Sequence, residues 1–259
     1  MVTAKQLFIF SKGIFVKKQP ILSIHSIKTR RSSSFCLAVD SLELYAGTKL
    51  CITGPNGSGK STLLEHIAGL LPYQSGEIRV CGLVVEQNMY ATRSNIGFIP
   101  DDENWFVGEL CAREYFALLQ SIYAKAGRTV SDAYITTLAN TVLFSAFSIP
   151  LRQLSHGNKK KVQIIAALMH KPPLIVIDEL RNGLDPLAII QAESLLQKEA
   201  SRGACIVAAS HDLWWTERIA DEVLFLRNGS VLLHKTKQAI LATYGSVEDA
   251  FLKKLGGSA

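Results

Sequence analysis

A glycine-rich segment near the start of the chain leaves its surroundings few ways to fold. It reads Gly54, Pro55, Asn56, Gly57, Ser58, Gly59, Lys60, Ser61 and Thr62. An apolar run predicts a strand over 50–53, and apolar residues on one face predict a helix over 61–70. Glycines permit a tight turn whose backbone N–H groups point inward, and the helix N-terminus behind them adds about half a positive charge. We therefore predict a strand, a loop and a helix arranged around an anion.

The spacing of this segment fits G-x-x-x-x-G-K-[ST], the pattern of a triphosphate-binding loop. We expect Lys60 to reach the outer phosphates and the Ser61 hydroxyl to ligate Mg²⁺. A chance glycine-rich loop is the alternative, but the Lys60–Ser61 pair and the flanking strand and helix argue against it. Residues 54–62 therefore predict a site for a nucleoside triphosphate with Mg²⁺.

A second motif supplies the carboxylates that such a site needs. Residues 174–177 are four apolar residues that predict a buried strand, and Asp178 and Glu179 follow them directly. Ligands of open α/β sheets bind at the carboxyl ends of strands, so we expect Asp178 to hold the metal. Glu179 is placed to polarise an attacking water, which as a general base contributes about 10²- to 10⁴-fold in rate. An acidic surface turn is the alternative, and the glycine-rich segment makes it less favoured.

Apolar runs and helical patterns alternate along the chain. Further strands are predicted over 21–27, 35–44, 77–80 and 205–209, and helical stretches over 109–148, after Ser155 and over 187–200. Continuous apolar strands between helices indicate a parallel sheet that is buried on both faces. The pattern predicts an α/β core with a β-rich part at about 21–100 and a helical insertion at about 103–155. Residues 1–20 form a basic and apolar N-terminal extension.

Composition supports a folded chain and excludes several other classes. Of 259 residues 48% are hydrophobic, which is too many for a disordered protein. No run approaches the ~18 apolar residues of a membrane span, and the five cysteines lack disulfide or metal-ligand spacing. The net charge of +6 comes from scattered basic clusters, so no nucleic acid partner is expected. These features predict a soluble intracellular protein.

A third motif gives the sequence a family resemblance. Leu154, Ser155, His156, Gly157 and Asn158 lie between the first two motifs. All three together resemble the ATP-binding subunit of ABC transporters, whose signature usually reads Leu-Ser-Gly-Gly-Gln. In the same order, residues 184–185 resemble the family's D-loop and residues 210–212 its switch-histidine segment. The resemblance covers about residues 21–255 as a single ABC ATPase domain.

The resemblance implies a P-loop NTPase core with a parallel sheet, an antiparallel β subdomain and an inserted α-helical subdomain. It also implies two cassettes, identical or homologous, that close head to tail around two ATP. Ser155, Gly157 and Asn158 would then contact the partner's ATP, and His211 would hold the attacking water with Glu179. Lysines 159–161 either raise the local potential or, in the favoured interpretation, form a solvated helix face.

Several positions depart from the family pattern. His156 replaces the first signature glycine, either as a passive spacer or as a group that adds pH sensitivity. Asp101 replaces the Q-loop glutamine, and it either approaches Mg²⁺ through water or forms an acidic turn. Residues 180–181, Leu-Arg, replace the usual Pro-Ser/Thr. The aromatic residue that stacks on adenine falls near Arg31, so either the Arg31 guanidinium or Phe35 is expected to take that place.

Without a membrane span of its own, the chain is expected to drive a separate transmembrane permease at the cytoplasmic face of the membrane. Trp105 and Phe106 lie where the family forms its groove for that subunit, and they either anchor the permease or pack inside the insertion. Residues 245–252 resemble the tail of exporter ATPases, which favours export over import. The alternatives are a soluble ABC ATPase acting on ribosomes or nucleic acid, and a regulatory ATP-binding subunit with little hydrolysis.

Overall fold

The computed structural model describes residues 8–11, 14–17, 19–30, 35–102 and 106–255. Its strands are β1 Phe8–Ser11, β2 Ile14–Lys17, β3 Leu22–Arg30, β4 Cys36–Leu44, β5 Lys49–Thr53, β6 Ser75–Val80, β7 Leu83–Val84, β8 Ile96–Ile99, β9 Leu174–Asp178, β10 Cys205–Ala209, β11 Glu222–Arg227 and β12 Ser230–Thr236. Its α-helices are α1 Lys60–Ile67, α2 Met89–Arg93, α3 Ala112–Lys125, α4 Asp132–Thr141, α5 His156–Leu168, α6 Pro186–Ser201, α7 Leu213–Ile219, α8 Lys237–Tyr244 and α9 Val247–Leu255.

Ten of these strands form one sheet in the order β7-β6-β3-β4-β12-β11-β5-β10-β9-β8. Strands β11, β5, β10, β9 and β8 are parallel, whereas β7, β6, β3 and β4 are antiparallel. Strand β12 joins the two parts: it pairs antiparallel with β11 and meets β4 in a single parallel pair, Ser230 with Ala38. The predicted fold class, a parallel core with an antiparallel part, is therefore confirmed.

The two faces of the parallel strands are buried in different apolar clusters. Ile175 and Ile177 of β9 face one cluster, which also contains residues of α3, α4, α5 and α6. Leu174 and Val176 face the other, which contains α1 and the antiparallel strands. Because successive side chains of a strand point to opposite faces, both faces need apolar residues, which explains the continuous apolar run.

Within the predicted insertion, α3 and α4 pack on α5 and α6. The ring of Phe106 is half-buried and meets Tyr115 edge to face at a centroid distance of 5.6 Å. Phe106 therefore packs inside this region, and the prediction of Trp105 as an anchor falls outside the described residues. No helix in the described part of the chain is both long and apolar enough to cross a bilayer.

Candidate nucleotide site

The glycine-rich segment forms the loop between β5 and α1, as predicted. Gly57 and Gly59 have positive φ angles of 75° and 104°. A Cβ at residue 59 would also lie 2.8 Å from Cζ of Phe35, so another residue there would strain the backbone and displace that ring. The chain turns sharply at Gly59 and starts α1 at Lys60, which directs the N-terminus of that helix at the loop.

Lys60 lies inside the loop that it follows. Its Nζ donates to the carbonyl oxygens of Gly54, at 2.9 Å, and Pro55, at 3.2 Å. Burial lowers the pKa of Lys60, while the nearby Glu179 and Asp178 act to raise it. The ammonium is therefore held close to the position where phosphate oxygens would enter the loop, with carboxylates on its other side.

Asp178 ends β9 opposite the loop. Its carboxylate accepts a hydrogen bond from the Ser61 side chain, so the two residues predicted as metal ligands are neighbours. Burial raises the pKa of Asp178; Asp101 and Glu179 act in the same direction, and the Ser61 hydrogen bond opposes them. The destabilised negative charge at this position favours binding of a cation.

Glu179 is held by donors from the loop that follows β10. Its Oε1 accepts from the backbone N–H of His211 at 3.1 Å and lies 2.9 Å from His211 Nδ1. Its Oε2 accepts from the Ser210 hydroxyl at 3.4 Å. The backbone of Glu179 has φ of +49°, a left-handed conformation that non-glycine residues rarely adopt. The predicted Glu179–His211 pair is thus in direct contact.

These residues surround one cavity of about 500 Å³. Its lining residues are Phe35, Asn56, Gly57, Gly59, Lys60, Ser61, Thr62, Asp101, Asp178 and Glu179. Phe35 is the aromatic residue of that lining, and Arg31, the other candidate for the adenine contact, falls outside the described residues. The loop, both strand-end carboxylates and Asp101 are therefore brought to one site.

The donor set of this cavity fits Mg²⁺. Ser61 offers a hydroxyl, and Asp178 and Asp101 offer carboxylates, which are the hard oxygen ligands that Mg²⁺ prefers. In the described part of the chain no three His, Cys, Asp or Glu residues are grouped closely enough to hold an ion by themselves. Magnesium sites that hold a nucleotide use one or two carboxylates together with substrate phosphates and water.

The signature residues lie elsewhere. Ser155 is exposed and caps α5, its hydroxyl accepting from the Asn158 backbone N–H at 3.4 Å. Gly157 and Asn158 form the first turn of that helix. None of the three is among the residues that line the cavity of the same chain. The predicted site residues thus fall into two groups on one molecule.

The favoured interpretation of the lysines at 159–161 as a solvated helix face is wrong. Lys160 is 1% exposed and Lys161 8% exposed, and only Lys159 is half-buried. Nζ of Lys161 donates to the carbonyl of Leu143 at 3.2 Å. Helix α5 is enclosed by the sheet, α3 and α4, so even its charged residues point inward.

Sequence reasoning missed the contacts of residues 181–183, which follow Glu179 closely. Arg181 pairs with Asp212, beside His211. Nδ2 of Asn182 donates to Oδ1 of Asp101 at 2.8 Å. Gly183 has φ of +79°, and a Cβ there would lie 2.0 Å from the ring of His156. Three consecutive residues therefore meet three separate segments of the chain. These partners are distant in sequence, so no local sequence pattern predicts the contacts.

A parallel sheet whose glycine-rich loop and acidic strand end meet at one cavity defines a P-loop nucleotide-binding protein. Residues 37–182 match the family described as ABC transporter, so the chain belongs to that family. It is an ATP-binding, ATP-hydrolysing subunit of an ABC transporter.

Similar proteins include the energy-coupling factor transporter ATP-binding protein EcfA1 of Mycoplasma genitalium, 32% identical over 74% of this chain and 70% of its own length. The glutamate/aspartate import ATP-binding protein GltL of Escherichia coli is 30% identical, over 77% and 84%. The linearmycin resistance ATP-binding protein LnrL of Bacillus subtilis is 26% identical, over 87% and 72%. A solved ATP-binding subunit of an ABC transporter superposes with a TM-score of 0.82 at 27% identity, covering 90% of this chain and 98% of that one.

Proposed function

We propose that this chain binds and hydrolyses Mg·ATP in the cavity of about 500 Å³ and thereby powers export through a separate membrane permease. The observation that carries the proposal is the convergence of Lys60, Ser61, Asp178 and Glu179 on that cavity. Lys60 and the backbone N–H groups of residues 54–62 bind the phosphates. The family membership supports this assignment over a protein that acts on ribosomes or nucleic acid.

Ser61 and Asp178 would hold Mg²⁺, and the Asp101 carboxylate, which lines the same cavity, would support it through water. Bound Mg²⁺ supplies neutralisation of the phosphate charge. The hydrogen bond between Ser61 and Asp178 keeps the two oxygen ligands together before nucleotide enters. Phe35 stacks on the adenine, since its ring lines the same cavity beside Gly59.

Glu179 accepts a proton from the attacking water. The water oxygen forms a bond to the γ-phosphorus, the bond from that phosphorus to the bridging oxygen breaks, and ADP leaves with the bonding electrons. His211 donates to the γ-phosphate and orients the water. The hydrogen bonds from Ser210 and His211 support these roles, because they aim the Glu179 carboxylate and fix its rotamer.

Two cassettes close around two ATP molecules. Ser155, Gly157 and Asn158 of one chain contact the nucleotide in the partner's cavity. The position of Ser155 at the exposed start of α5 supports this arrangement, because a helix N-terminus favours phosphate oxygens. Phosphate charge draws the two chains together, and charge repulsion between the ADP and phosphate products reopens them.

The permease holds the chain at the cytoplasmic face of the membrane. Export is the direction that residues 245–252 support, which begin directly after α8 and include the first six residues of α9. The names of the similar proteins include both an importer and a resistance protein, so direction needs its own experiment. The transported molecule is selected by the permease.

Hydrolysis is tested with Glu179→Gln. Because the variant loses the proton acceptor and keeps the phosphate loop, we expect the turnover rate to fall at least ~10²-fold while ATP stays bound. The measurements are steady-state ATPase activity and retention of radiolabelled ATP. Lys60→Ala is the contrasting variant, which should lose nucleotide affinity. A Glu179→Gln protein that hydrolyses at the parent rate would contradict the assigned role, and a parent without hydrolysis would favour the regulatory alternative.

Direction is tested with the permease that co-purifies with the tagged chain from its native membranes. The complex is reconstituted in liposomes, and ATP is added outside, where only outward-facing cassettes use it. Export predicts accumulation of the substrate inside the liposomes; release of preloaded substrate would establish import. Recovery of ribosomal proteins or nucleic acid without any membrane protein would contradict the transporter assignment.

A further inference from the structure

Helix α5 holds the loop that follows β8. Residues 100–102, here called the acidic loop, carry two successive aspartates. Nζ of Lys160 donates to the carbonyl of Pro100 at 2.7 Å, and Nε2 of Gln163 donates to the carbonyl of Asp102 at 2.6 Å. Lys160 and Gln163 are three positions apart on α5 and so lie on one face of it. Side chains of α5 therefore donate hydrogen bonds to the backbone carbonyls on both sides of Asp101.

The side chain of Asp101 is held from another direction. Its Oδ1 accepts from Nδ2 of Asn182 at 2.8 Å, in the segment that directly follows Leu180. All three residues of the acidic loop are thus restrained, two through the backbone and one through the carboxylate. A loop needed only as a connection would not require three separate side-chain donors, and Asp101 at its centre lines the nucleotide cavity.

Lys160 is an unusual residue for this task. It is 1% exposed, and its other contact is the carbonyl of Asp178 at 3.4 Å. Burial lowers its pKa to about 8, while the charges of Asp101, Asp178 and Glu179 act to raise it. A buried ammonium is costly unless carbonyls and opposite charges surround it. Lys160 has those surroundings because it lies behind the carboxyl end of β9, where Asp178 and Glu179 are located.

We propose that Lys160 and Gln163 are positioning residues that fix the Asp101 carboxylate at the metal side of the nucleotide site and tie it to α5. The inference rests on the proposed role of Asp101 near Mg²⁺. Because α5 begins at the signature residue Ser155, the same helix meets the partner's ATP at one end and sets a metal-side carboxylate of its own chain near the middle. A shift of α5 on closure therefore moves Asp101.

The test measures metal affinity and not turnover. In a Glu179→Gln background ATP is not consumed, and the Mn²⁺ concentration that half-saturates ATP retention is determined, with the bound ion followed by electron paramagnetic resonance. The variants are Asp101→Ala, Lys160→Met and the double substitution. Loss of an outer-shell partner weakens metal binding by about 10- to 100-fold. We expect each single variant to raise the half-saturating concentration about 10-fold and the double variant to raise it no further.

Lys161→Met is the matched control. It removes a second buried lysine from the next position of α5, whose Nζ contacts the Leu143 carbonyl and the Asp185 carboxylate and not the acidic loop. We expect its Mn²⁺ requirement to equal that of the parent. If the general cost of losing a buried lysine were responsible, both methionine variants would shift alike, and the inference would be overturned.

A further variant guards against misfolding of Lys160→Met. Gln163→Leu removes only the Asp102 contact and a buried Oε1 that has no hydrogen-bond partner among the described residues, so the fold should tolerate it. We expect a smaller rise in the Mn²⁺ requirement, again absent when Asp101 is already alanine. Circular dichroism and thermal unfolding establish that each protein is folded.

The outcomes separate this inference from the proposed function. An effect of Asp101→Ala without an effect of Lys160→Met or Gln163→Leu would overturn the inference alone. No effect of Asp101→Ala would overturn both the inference and the assignment of Asp101 to the metal side. Effects of Lys160→Met and Asp101→Ala that multiply to about 100-fold would show that they act independently, which also overturns it.

Discussion

Glu179 holds a strained backbone at the position of the proposed proton transfer. The left-handed conformation costs a non-glycine residue about 1–2 kcal/mol. The fold maintains it through the Glu179 backbone N–H, which donates to the carbonyl of Ala209 at 3.2 Å, and through the carboxylate contacts with Ser210 and His211. Glu179 thus combines a strained backbone with a carboxylate whose two oxygens both accept hydrogen bonds. This combination fits a group that keeps one orientation during turnover.

His170 predicts how stability depends on pH. Its ring stacks on Tyr123 at 3.9 Å, Nε2 donates to the carbonyl of Ile96, and Nδ1 is buried without a partner among the described residues. Burial, with a smaller contribution from Arg128, lowers the pKa of His170 to about 4. The unfolded chain therefore takes up the proton first, near its ordinary pKa of about 6.5. Stability is full above that pH and is lost as the pH falls towards the folded-state pKa.

Between pH 7 and pH 5 this histidine should remove about 2 kcal/mol from the free energy of unfolding. Urea unfolding of the parent and of His170→Phe at the two pH values measures the effect. The phenyl ring keeps the stacking and cannot protonate, so the fall should be smaller in the variant by that amount. His25→Gln, at an exposed position of β3, is the control. Equal losses of unfolding free energy in the parent and in His170→Phe would show that a group other than His170 causes the loss of stability at low pH.

At the scale of elements, residues 180–183 connect the loops of the site. Leu180 is buried in the core, which accounts for the apolar residue at that position. Arg181, Asn182 and Gly183 then meet Asp212, Asp101 and His156 in turn. The departures from the family pattern at 101, 156 and 180–181 therefore share one neighbourhood, and each has a partner within it.

Gly183→Ala tests the contact with His156. The added Cβ would lie 2.0 Å from His156 Cδ2, and the positive φ of residue 183 is unfavourable for alanine. Gly82→Ala is the matched control, because Gly82 has φ of +81° and no atom within 4 Å of the new Cβ. The φ cost of about 1 kcal/mol is common to both variants. Displacement of the exposed His156 ring should add about 0.5–1.5 kcal/mol, measured by chemical denaturation.

Removal of the imidazole should reverse the extra cost. The double variant carries Gly183→Ala together with His156→Ala. We expect its loss of unfolding free energy to lie within about 0.5 kcal/mol of the sum of two terms, the φ cost and the loss caused by His156→Ala alone. If Gly183→Ala and Gly82→Ala destabilise equally, the imidazole moves aside without cost, and the contact with Gly183 does not hold His156 in place.

At the scale of the whole molecule, the sequence predicted what is encoded locally. The glycine spacing of 54–62 and the apolar run before Asp178 can be recognised within a few neighbouring residues. Both correctly predicted the strands β5 and β9, whose carboxyl ends carry the site residues. Strand β8 was missed because it has four residues and Gly97 interrupts its apolar pattern. The burial of Lys160 was missed because three consecutive lysines ordinarily face water. Only the packing of α5 between sheet and insertion turns them inward.

The two groups of site residues on one chain support the proposal that two chains form the functional molecule. Lys60 and the carboxylates line the cavity, whereas Ser155 stands at the exposed start of α5. A twofold arrangement lets each group complete the other chain's site without any new residue. The test must change the signature surface without unfolding α5, because Ser155 is also the N-cap of that helix.

Ser155→Asp meets this requirement, with Ser155→Asn as its control. Aspartate and asparagine cap helices about as well as serine, and the aspartate charge further favours a helix N-terminus. Only aspartate adds a negative charge to the surface that is proposed to face the partner's triphosphate.

In the Glu179→Gln background with Mg·ATP, we expect the dimer dissociation constant to rise at least ~10-fold for Ser155→Asp, about 1.4 kcal/mol, and to stay near the parent value for Ser155→Asn. Size-exclusion chromatography with light scattering measures the dimer, and a fluorescent ATP analogue measures nucleotide binding to the monomer. Monomer binding should be the same in all three proteins, because the cavity of the same chain does not include residue 155. A Ser155→Asp protein that dimerises like the parent would remove the signature from the interface, and one that loses monomer binding would place it at its own chain's nucleotide.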